Sequence, residues 1–423
     1  MITVNKGGKV KIDTLGCKLN QAETEVLTEL FVNSGYGLAE SVNEADIYVL
    51  NTCTVTHIAD RKTRRLLRAA KRCNGNTIVV AIGCYVERNN GELAAIDGVD
   101  MVVGNDEKMN ILPLMELKGY LTGKDGSWQN SLSKNVIGIK NRTFIKAQDG
   151  CNNLCAYCIV PLVRGREKSV PVGEIITRIK DKVVDGYKEV VLTGTEIGSY
   201  HHNGITLSGL VKKILDETSI ERLRLSSLQP QHITQRLVEI WHNRRLCSHL
   251  HLPLQSGSDG VLKRMERRYS TKEYDTAVSL VRATVPNVAI TTDIMVGFPG
   301  ESANEFEESI NFCREMDFAR IHVFPFSSRY GTKATEMKGQ LDAGMKKQRS
   351  QSMITLAEES ARKFRERFLG STGHVLWEKK HEGIWSGLTA NYIRVYARNV
   401  NDLANEITRV KLEKQYKDGI WGR

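Results

Sequence analysis

TFIKAQDGCNNLCAYCIVP, residues 143–161, carries a strand-like run directly into three cysteines spaced C-x3-C-x2-C. Cys151, Cys155 and Cys158 therefore share one short loop. Three thiolates can hold three irons of a 4Fe-4S cluster and leave the fourth without a protein ligand. A four-cysteine site of the ferredoxin kind fills every iron and moves electrons. A three-cysteine site leaves one iron open to a substrate or cofactor, so it can do chemistry. The alternatives are a zinc site or half of a disulfide pair. Zinc normally takes four N or S ligands in paired C-x2-C units, and no second pair stands here. The spacing favours the cluster.

Downstream, strand-like runs recur: EVVLTGT at 189–195, RLRLSSLQP at 222–230, HLHLPLQSGS at 249–258, NVAITTDIMVGFPGE at 287–301 and RIHVFPFSS at 320–328. Amphipathic stretches at 172–185, 208–217 and 305–316 separate them at helical period. Six βα units fall short of a closed eightfold barrel and predict a partial (β/α)6 barrel, TIM-like, over 141–360. The first strand leads into the cysteine loop, which puts that loop at the C-terminal mouth, where barrel enzymes carry their sites.

Upstream, one pattern occurs three times. KVKIDTLGC (9–17), IYVLNTC (47–53) and TIVVAIGC (77–84) are each a β-branched, apolar run ending in Cys. Helical stretches at 21–34 and 61–73 follow the first two, and DMVVGN (100–105) adds a further strand. The alternation predicts a parallel sheet over 1–120. In such a sheet all strand C-termini lie on one edge, where open α/β sheets bind ligands. Cys17, Cys53 and Cys84 should therefore converge into a second three-cysteine set. Cys73, Cys247 and Cys313 share no such pattern and read as packing residues.

These motifs carry a resemblance. C-x3-C-x2-C with Tyr157 before its last Cys is similar to the radical S-adenosylmethionine (SAM) superfamily. Together with TLGCKLNQAE (14–23), NTCTVTHIADRK (51–62), AIGC (81–84) and HLPLQSGSDGVLKRMERRY (251–269), the chain resembles the radical SAM methylthiotransferases over nearly its whole length. The resemblance implies two 4Fe-4S clusters, an auxiliary one on Cys17, Cys53 and Cys84 and one on Cys151, Cys155 and Cys158 that binds SAM. It implies that reduction cleaves SAM to a 5'-deoxyadenosyl radical. The radical takes hydrogen from carbon 2 of an adenine, and a methylthio group joins that carbon. Contacts to SAM are expected from Tyr157, from Gly194, Thr195 and Glu196, from Ser227, Gln255, Ser256 and Ser258, and from Gly297 and Phe298. Gly257 would let backbone approach the ligand. Arg164, after the loop, reads equally as a contact to SAM or a substrate phosphate and as a solvated turn. His249 and His251 share one strand face and read as satisfied core histidines.

The chain has 60 basic against 49 acidic residues, a net charge of +11, which suits a polyanionic partner. RKTRRLLRAAKR (61–72) directs Leu66, Leu67 and Ala70 inward and sets charges outward, with Arg61, Arg64 and Arg65 as candidate RNA contacts. Residues 361–423, after a linker at 121–140 and the barrel, show short alternating strands that predict a small β-barrel. This module resembles the TRAM domain, an OB-like RNA-binding fold. Arg394 with Trp385, Tyr392 and Tyr396 suits phosphate contact plus base stacking.

The resemblance implies tRNA, at the anticodon stem-loop, as the partner. LGCKLNQAE and NYIRV lean toward the branch that modifies threonylcarbamoyladenosine at position 37. The alternatives are the isopentenyladenosine branch, a radical SAM enzyme whose auxiliary cluster relays electrons, and a non-catalytic Fe-S RNA-binding protein. An external reductant such as a flavodoxin or ferredoxin is implied. Nine dispersed cysteines, an N-terminal stretch without an apolar signal core and no membrane-length apolar run point to a reducing cytoplasm.

Overall fold

The computed structural model describes residues 3–5, 7–122 and 141–423, so the expected linker lies outside the described residues except for Leu121–Thr122, which pairs with Val4–Asn5. The chain forms two compact units. One gathers the described residues among 1–138 with 150–152 and 158–166; the other takes 153–157, 167–423 and the described residues among 139–149.

In the first unit the three Cys-terminated runs become Lys9–Thr14, Ile47–Thr52 and Ile78–Gly83. They join Gly37–Leu38 and Met101–Val103 in one parallel sheet, spatial order 37–38, 9–14, 47–52, 78–83, 101–103. Ile47–Thr52 and Ile78–Gly83 are buried at every position because both faces are covered, which is why they read as continuous apolar runs. Alternate side chains feed two cores. Val49, Val80 and Ile82 pack with Leu27 and Phe31 of helix Lys18–Asn33. Tyr48, Leu50, Val79 and Ala81 pack with Leu67 and Ala70 of helix His57–Cys73. Leu27, Phe31 and Leu67 are fully buried, each contributing about 1.5–3 kcal/mol by leaving water. The Thr56 hydroxyl caps the second helix by accepting from the Ala59 amide.

In the second unit the six expected strands are Arg142–Lys146, Glu189–Thr193, Arg222–Leu225, His249–His251, Ala289–Val296 and Arg320–Pro325. They form two parallel trios, joined by the parallel bridges Leu223–Leu246 and Ser227–His251. Spatial order therefore equals chain order, the arrangement of a partial (β/α)6 barrel. Helices Val172–Val184, Leu207–Glu217, Thr271–Thr284 and Ala303–Glu315 pack their apolar faces into the barrel's core. Capping boxes at Ser270/Glu273 and Ser302/Glu305 start the last two.

After the long helix Ala343–Glu366 the chain closes a five-stranded barrel: Thr372–His381, Ile384–Thr389, Arg394–Arg398, Gly419–Gly422 and Ile407–Tyr416 in spatial order. The Gly419–Gly422 strand was not legible in the sequence. A buried ionic latch ties this barrel to the N-terminal ends of the large barrel's strands. Glu189, fully buried, pairs with Arg142 at 2.6 Å and Arg224 at 2.9 Å. Arg222 donates to the Leu388 and His374 carbonyls at 2.9 and 2.8 Å, and Arg224 to that of Ala390 at 2.8 Å. The latch thus grips the barrel end opposite the one where Arg142–Lys146 leads toward the cysteine loop. Among the described residues no helix is long and apolar enough to cross a membrane.

Candidate functional site

The first cysteine set does assemble at the sheet edge. Cys17 precedes helix Lys18–Asn33, Cys53 follows the strand Ile47–Thr52, and Cys84 opens the short helix Cys84–Arg88. Two of the three are preceded by glycines that close packing demands. A Cβ on Gly16 (φ +102°) would lie 2.6 Å from Cys53 Cβ and 2.8 Å from its Sγ. A Cβ on Gly83 (φ +97°) would lie 2.6 Å from Asn51 Oδ1. Asn20 ties the first two Cys loops, donating its amide to the Leu15 and Thr52 carbonyls at 2.8 and 3.0 Å. Thr52 ties the second to the third: its hydroxyl donates to the Ile82 carbonyl and accepts from the Tyr85 amide.

Burial pushes the Cys53 thiol up to about 12, and Cys17 and Cys84 add to the rise because a thiolate at one opposes a thiolate at another. Cys17 keeps solvent exposure at one side, yet desolvation raises its thiol too, with Arg164 the chief opposing influence. A metal ion would compete with these protons for the sulfurs. Among the described residues no group of three His, Cys, Asp or Glu is placed to hold a single ion. Thiolates on separate corners of an iron-sulfur cube need not approach as ligands of one ion do.

Arg164 answers the question its motif left open: it is neither a solvated turn nor free for a phosphate. Its guanidinium pairs with both Glu23 oxygens at 3.1 Å and donates to Asn20 Oδ1 at 2.6 Å. Lys108 reaches the same carboxylate at 2.6 Å and Asn105 Oδ1 at 2.8 Å, and Asn105 directs its amide at Cys84 Sγ at 3.7 Å and donates to the Val163 carbonyl at 2.6 Å. These side chains are almost wholly buried, so the one carboxylate compensates two cations beside the thiols. Sequence reasoning passed over Asn20, Glu23, Lys108 and Asn105. The signal for Asn20 and Glu23 was their i, i+3 spacing on one helix face just after Cys17.

The second set lies on the loop after the first barrel strand. Cys151 is buried, and its amide donates to the Gly165 carbonyl at 3.1 Å; Cys155 and Cys158 are partly exposed. Residues 158–166, which begin with the last of these cysteines, pack in the unit that holds the first set, where Ile159 and Val163 cluster with Cys84. In the second unit Ala156 donates its amide to the Met265 carbonyl at 3.0 Å, and Tyr157 meets the buried Phe298 edge to face at 6.5 Å. Glu196, buried, donates its amide to Gln148 Oε1 at 2.8 Å; its carboxylate accepts from Asn153 at 3.1 Å and from Gln229. Gly194 lies where a Cβ would meet Gln148 at 2.9 Å, and the Thr195 hydroxyl faces Asp149 at 3.5 Å.

Other expected ligand contacts are spread along the barrel. Ser227 bridges to His251 through backbone. Gln255 takes φ +70°, and its Oε1 is buried without a hydrogen-bond partner, a polar atom suited to a ligand. Ser256 instead turns to Ser309 at 3.0 Å, and Ser258 to Glu308 at 2.5 Å. Gly257 makes room for helix Ala303–Glu315 rather than for a ligand: a Cβ there would stand 2.8 Å from Phe312 Cβ and Ser309 Cα. Gly297 (φ +71°) donates its amide to Glu301, and Phe298 is packed among Met295, Phe326 and Val261. His249 Nε2 and His251 Nδ1 both bond Thr291 Oγ1, and His251 Nε2 lies 3.2 Å from Asp293, so His251 is satisfied in the core, whereas His249 Nδ1 is buried without a hydrogen-bond partner.

The RNA-contact residues divide. Arg61 and Arg65 are exposed on helix His57–Cys73, but Arg64 is tied to Tyr85 and to Glu92 at 2.9 Å. Arg394 stands 3.4 Å from Asp418. Tyr392 offers no free face, because the Arg224 guanidinium covers its ring at 3.7 Å and His249 meets it at 4.5 Å. Trp385 is buried in the small barrel's core. Cys247 and Cys313 are buried as expected; Cys73 is exposed.

Residues 9–104 match the family described as "Uncharacterized protein family UPF0004", and residues 145–313 match the Radical SAM superfamily. The threonylcarbamoyladenosine tRNA methylthiotransferase MtaB of Bacillus subtilis is 34% identical over 98% of this chain and 96% of its own length. Its namesake from Aquifex aeolicus is 36% identical over 92% and 96%. Among solved structures, the radical SAM methyltransferase TsrM from Kitasatospora setae matches with TM-score 0.56 at 13% identity, over 78% of this chain and 74% of that one, a likeness of fold.

Proposed function

Since the chain belongs to the radical SAM methylthiotransferase family, we propose that it transfers a methylthio group to carbon 2 of threonylcarbamoyladenosine at tRNA position 37. The observation that carries this reading is the convergence of Cys17, Cys53 and Cys84 at one sheet edge, in a chain that also bears C-x3-C-x2-C. An electron carrier or a structural Fe-S protein has no use for two three-cysteine sites.

The residues fit the groups the family uses. Amide and guanidinium donors face the thiols of both sets, as they would face thiolates. We assign the auxiliary cluster to Cys17, Cys53 and Cys84, and the SAM-binding cluster to Cys151, Cys155 and Cys158. When bound, these clusters and SAM supply the radical and sulfur chemistry.

The chain's own residues hold and orient. In this reading Glu196 and the orphaned Gln255 Oε1 would receive the amino and hydroxyl donors of a bound SAM, with Gly194 and Thr195 shaping the backbone beside Glu196 and Ser227 at the end of the neighbouring strand. Tyr157, Gly297 and Phe298 set an apolar wall that limits water. Arg61 and Arg65 supply exposed cations for the tRNA backbone.

We assign residues 1–120 to the auxiliary-cluster domain, 141–360 to the radical SAM barrel and 361–423 to an RNA-binding barrel, with a linker between the first two. A one-electron donor such as a flavodoxin or ferredoxin completes the system in the cytoplasm. Mass spectrometry of tRNA nucleosides from cells with and without the gene tests the proposal. The 2-methylthio form of threonylcarbamoyladenosine should vanish with the gene. Its persistence, or loss of the isopentenyl counterpart instead, would overturn the substrate assignment.

A further inference from the structure

Arg267 is a cation whose electrostatic partner is not a carboxylate. It lies one residue past Glu266, whose left-handed backbone (φ +56°) ends helix Asp259–Arg264 and redirects the chain. The guanidinium donates to three acceptors: Cys155 Sγ at 3.3 Å, Tyr269 Oη at 3.0 Å and Gln229 Oε1 at 3.2 Å. It also lies 4.8 Å over the Tyr269 ring. Tyr269 is fixed in turn by donating to the Pro253 carbonyl at 2.7 Å. Among the described residues no Asp or Glu forms an ion pair with Arg267, and one of its three acceptors is the Cys155 sulfur. Gln229 continues the chain by donating to Glu196, which also accepts from Asn153 in the cysteine loop. Backbone and side chain cooperate here: Met265, two residues before Arg267, accepts the Ala156 amide next to Cys155.

We propose that Arg267 is a positioning residue of the radical-generating site, directing its guanidinium at the Cys155 sulfur, stabilising the reduced state of the cluster that sulfur would ligate, and tying the sulfur through Gln229 to Glu196. This inference rests on assigning Cys151, Cys155 and Cys158 as cluster ligands. A hydrogen bond and a positive charge at a cysteine sulfur favour the state that carries the additional electron, and so raise the potential. A residue that served packing alone would not need three acceptors at hydrogen-bond distance.

The test uses the full chain, reconstituted without oxygen, with Cys17, Cys53 and Cys84 changed to Ala so that one cluster is read by itself. Arg267→Met, Arg267→Gln and Arg267→Lys are compared with that parent by iron content and by a redox titration followed by electron paramagnetic resonance. At a fixed potential Arg267→Met should lower the ratio of reduced to oxidised cluster about tenfold, a shift of about 59 mV to more negative potential for one electron. Arg267→Lys should recover part of the shift. Should the Met variant hold no iron, the Gln variant, which keeps a donor and loses the charge, is read by the same criterion. An unchanged midpoint in an iron-replete Met or Gln variant overturns the proposal and leaves the methylthiotransferase reading intact. A parent that binds no four-iron cluster overturns that reading instead.

Discussion

Glu189→Gln should loosen the small C-terminal barrel from the radical SAM barrel. Glu189 is the shared anion of the latch, contacted by Arg142 at 2.6 Å and Arg224 at 2.9 Å, with Arg222 at 3.9 Å. Burial alone would raise its carboxyl, but the guanidiniums of Arg224 and Arg142 reverse that and hold it at about 2, against 4.5 for a free side chain. A displacement of that size is worth about 3 kcal/mol of folding free energy. Breaking a buried pair and leaving its cations uncompensated costs about 3–5 kcal/mol. For a unit of this size that is a fall in melting temperature of roughly 6–12 °C. Emission from Trp377 and Trp385, both buried in the small barrel, is a direct probe of the detached element.

The sign with pH follows from the depressed carboxyl. Its contribution is fully present above about 4.5 and is lost as pH falls toward about 2. Wild type and Glu189→Gln should therefore differ fully at pH 7 and converge in strong acid. A melting difference under about 2 °C at pH 7, or one that does not shrink on acidification, would refute the latch.

Three further outcomes follow. Gly83→Ala places a methyl 2.6 Å from Asn51 Oδ1 at φ +97°, so it should displace Cys84, cost about 1–3 kcal/mol and selectively remove auxiliary iron, read by metal analysis. Glu23→Gln leaves buried Lys108 and Arg164 without their anion and should destabilise the N-terminal unit by about 3–5 kcal/mol in urea titration. Arg61→Ala and Arg65→Ala should each lower the slope of log affinity for tRNA against log salt by about 1, whereas Arg64→Ala, which breaks the contacts to Tyr85 and Glu92, should act mainly on stability.

The strand-end cysteines were legible because each ends a β-branched run, and parallel topology sends all three to one edge. The six barrel strands were legible for the same reason. Alternation in the C-terminal strands did not reveal which face is inside, so Trp385 and Tyr392 looked like base-stacking platforms although one is core and the other lies under Arg224. GIWG at 419–422 was invisible as a strand because its glycines carry little β propensity. Nothing local in RLRL signals that its two arginines are buried; Glu189, on another strand, explains it. Arg164 and Glu23 lie 141 residues apart, beyond any local pattern.

Quantifying iron and acid-labile sulfide, with Mössbauer spectra, on anaerobically reconstituted wild type and on the Cys17/Cys53/Cys84→Ala triple variant tests the central claim most directly. The account predicts about eight irons per chain falling to about four, with SAM cleavage retained and methylthio transfer abolished. Equal iron in the two proteins, or zinc in either set of sulfurs, would contradict it.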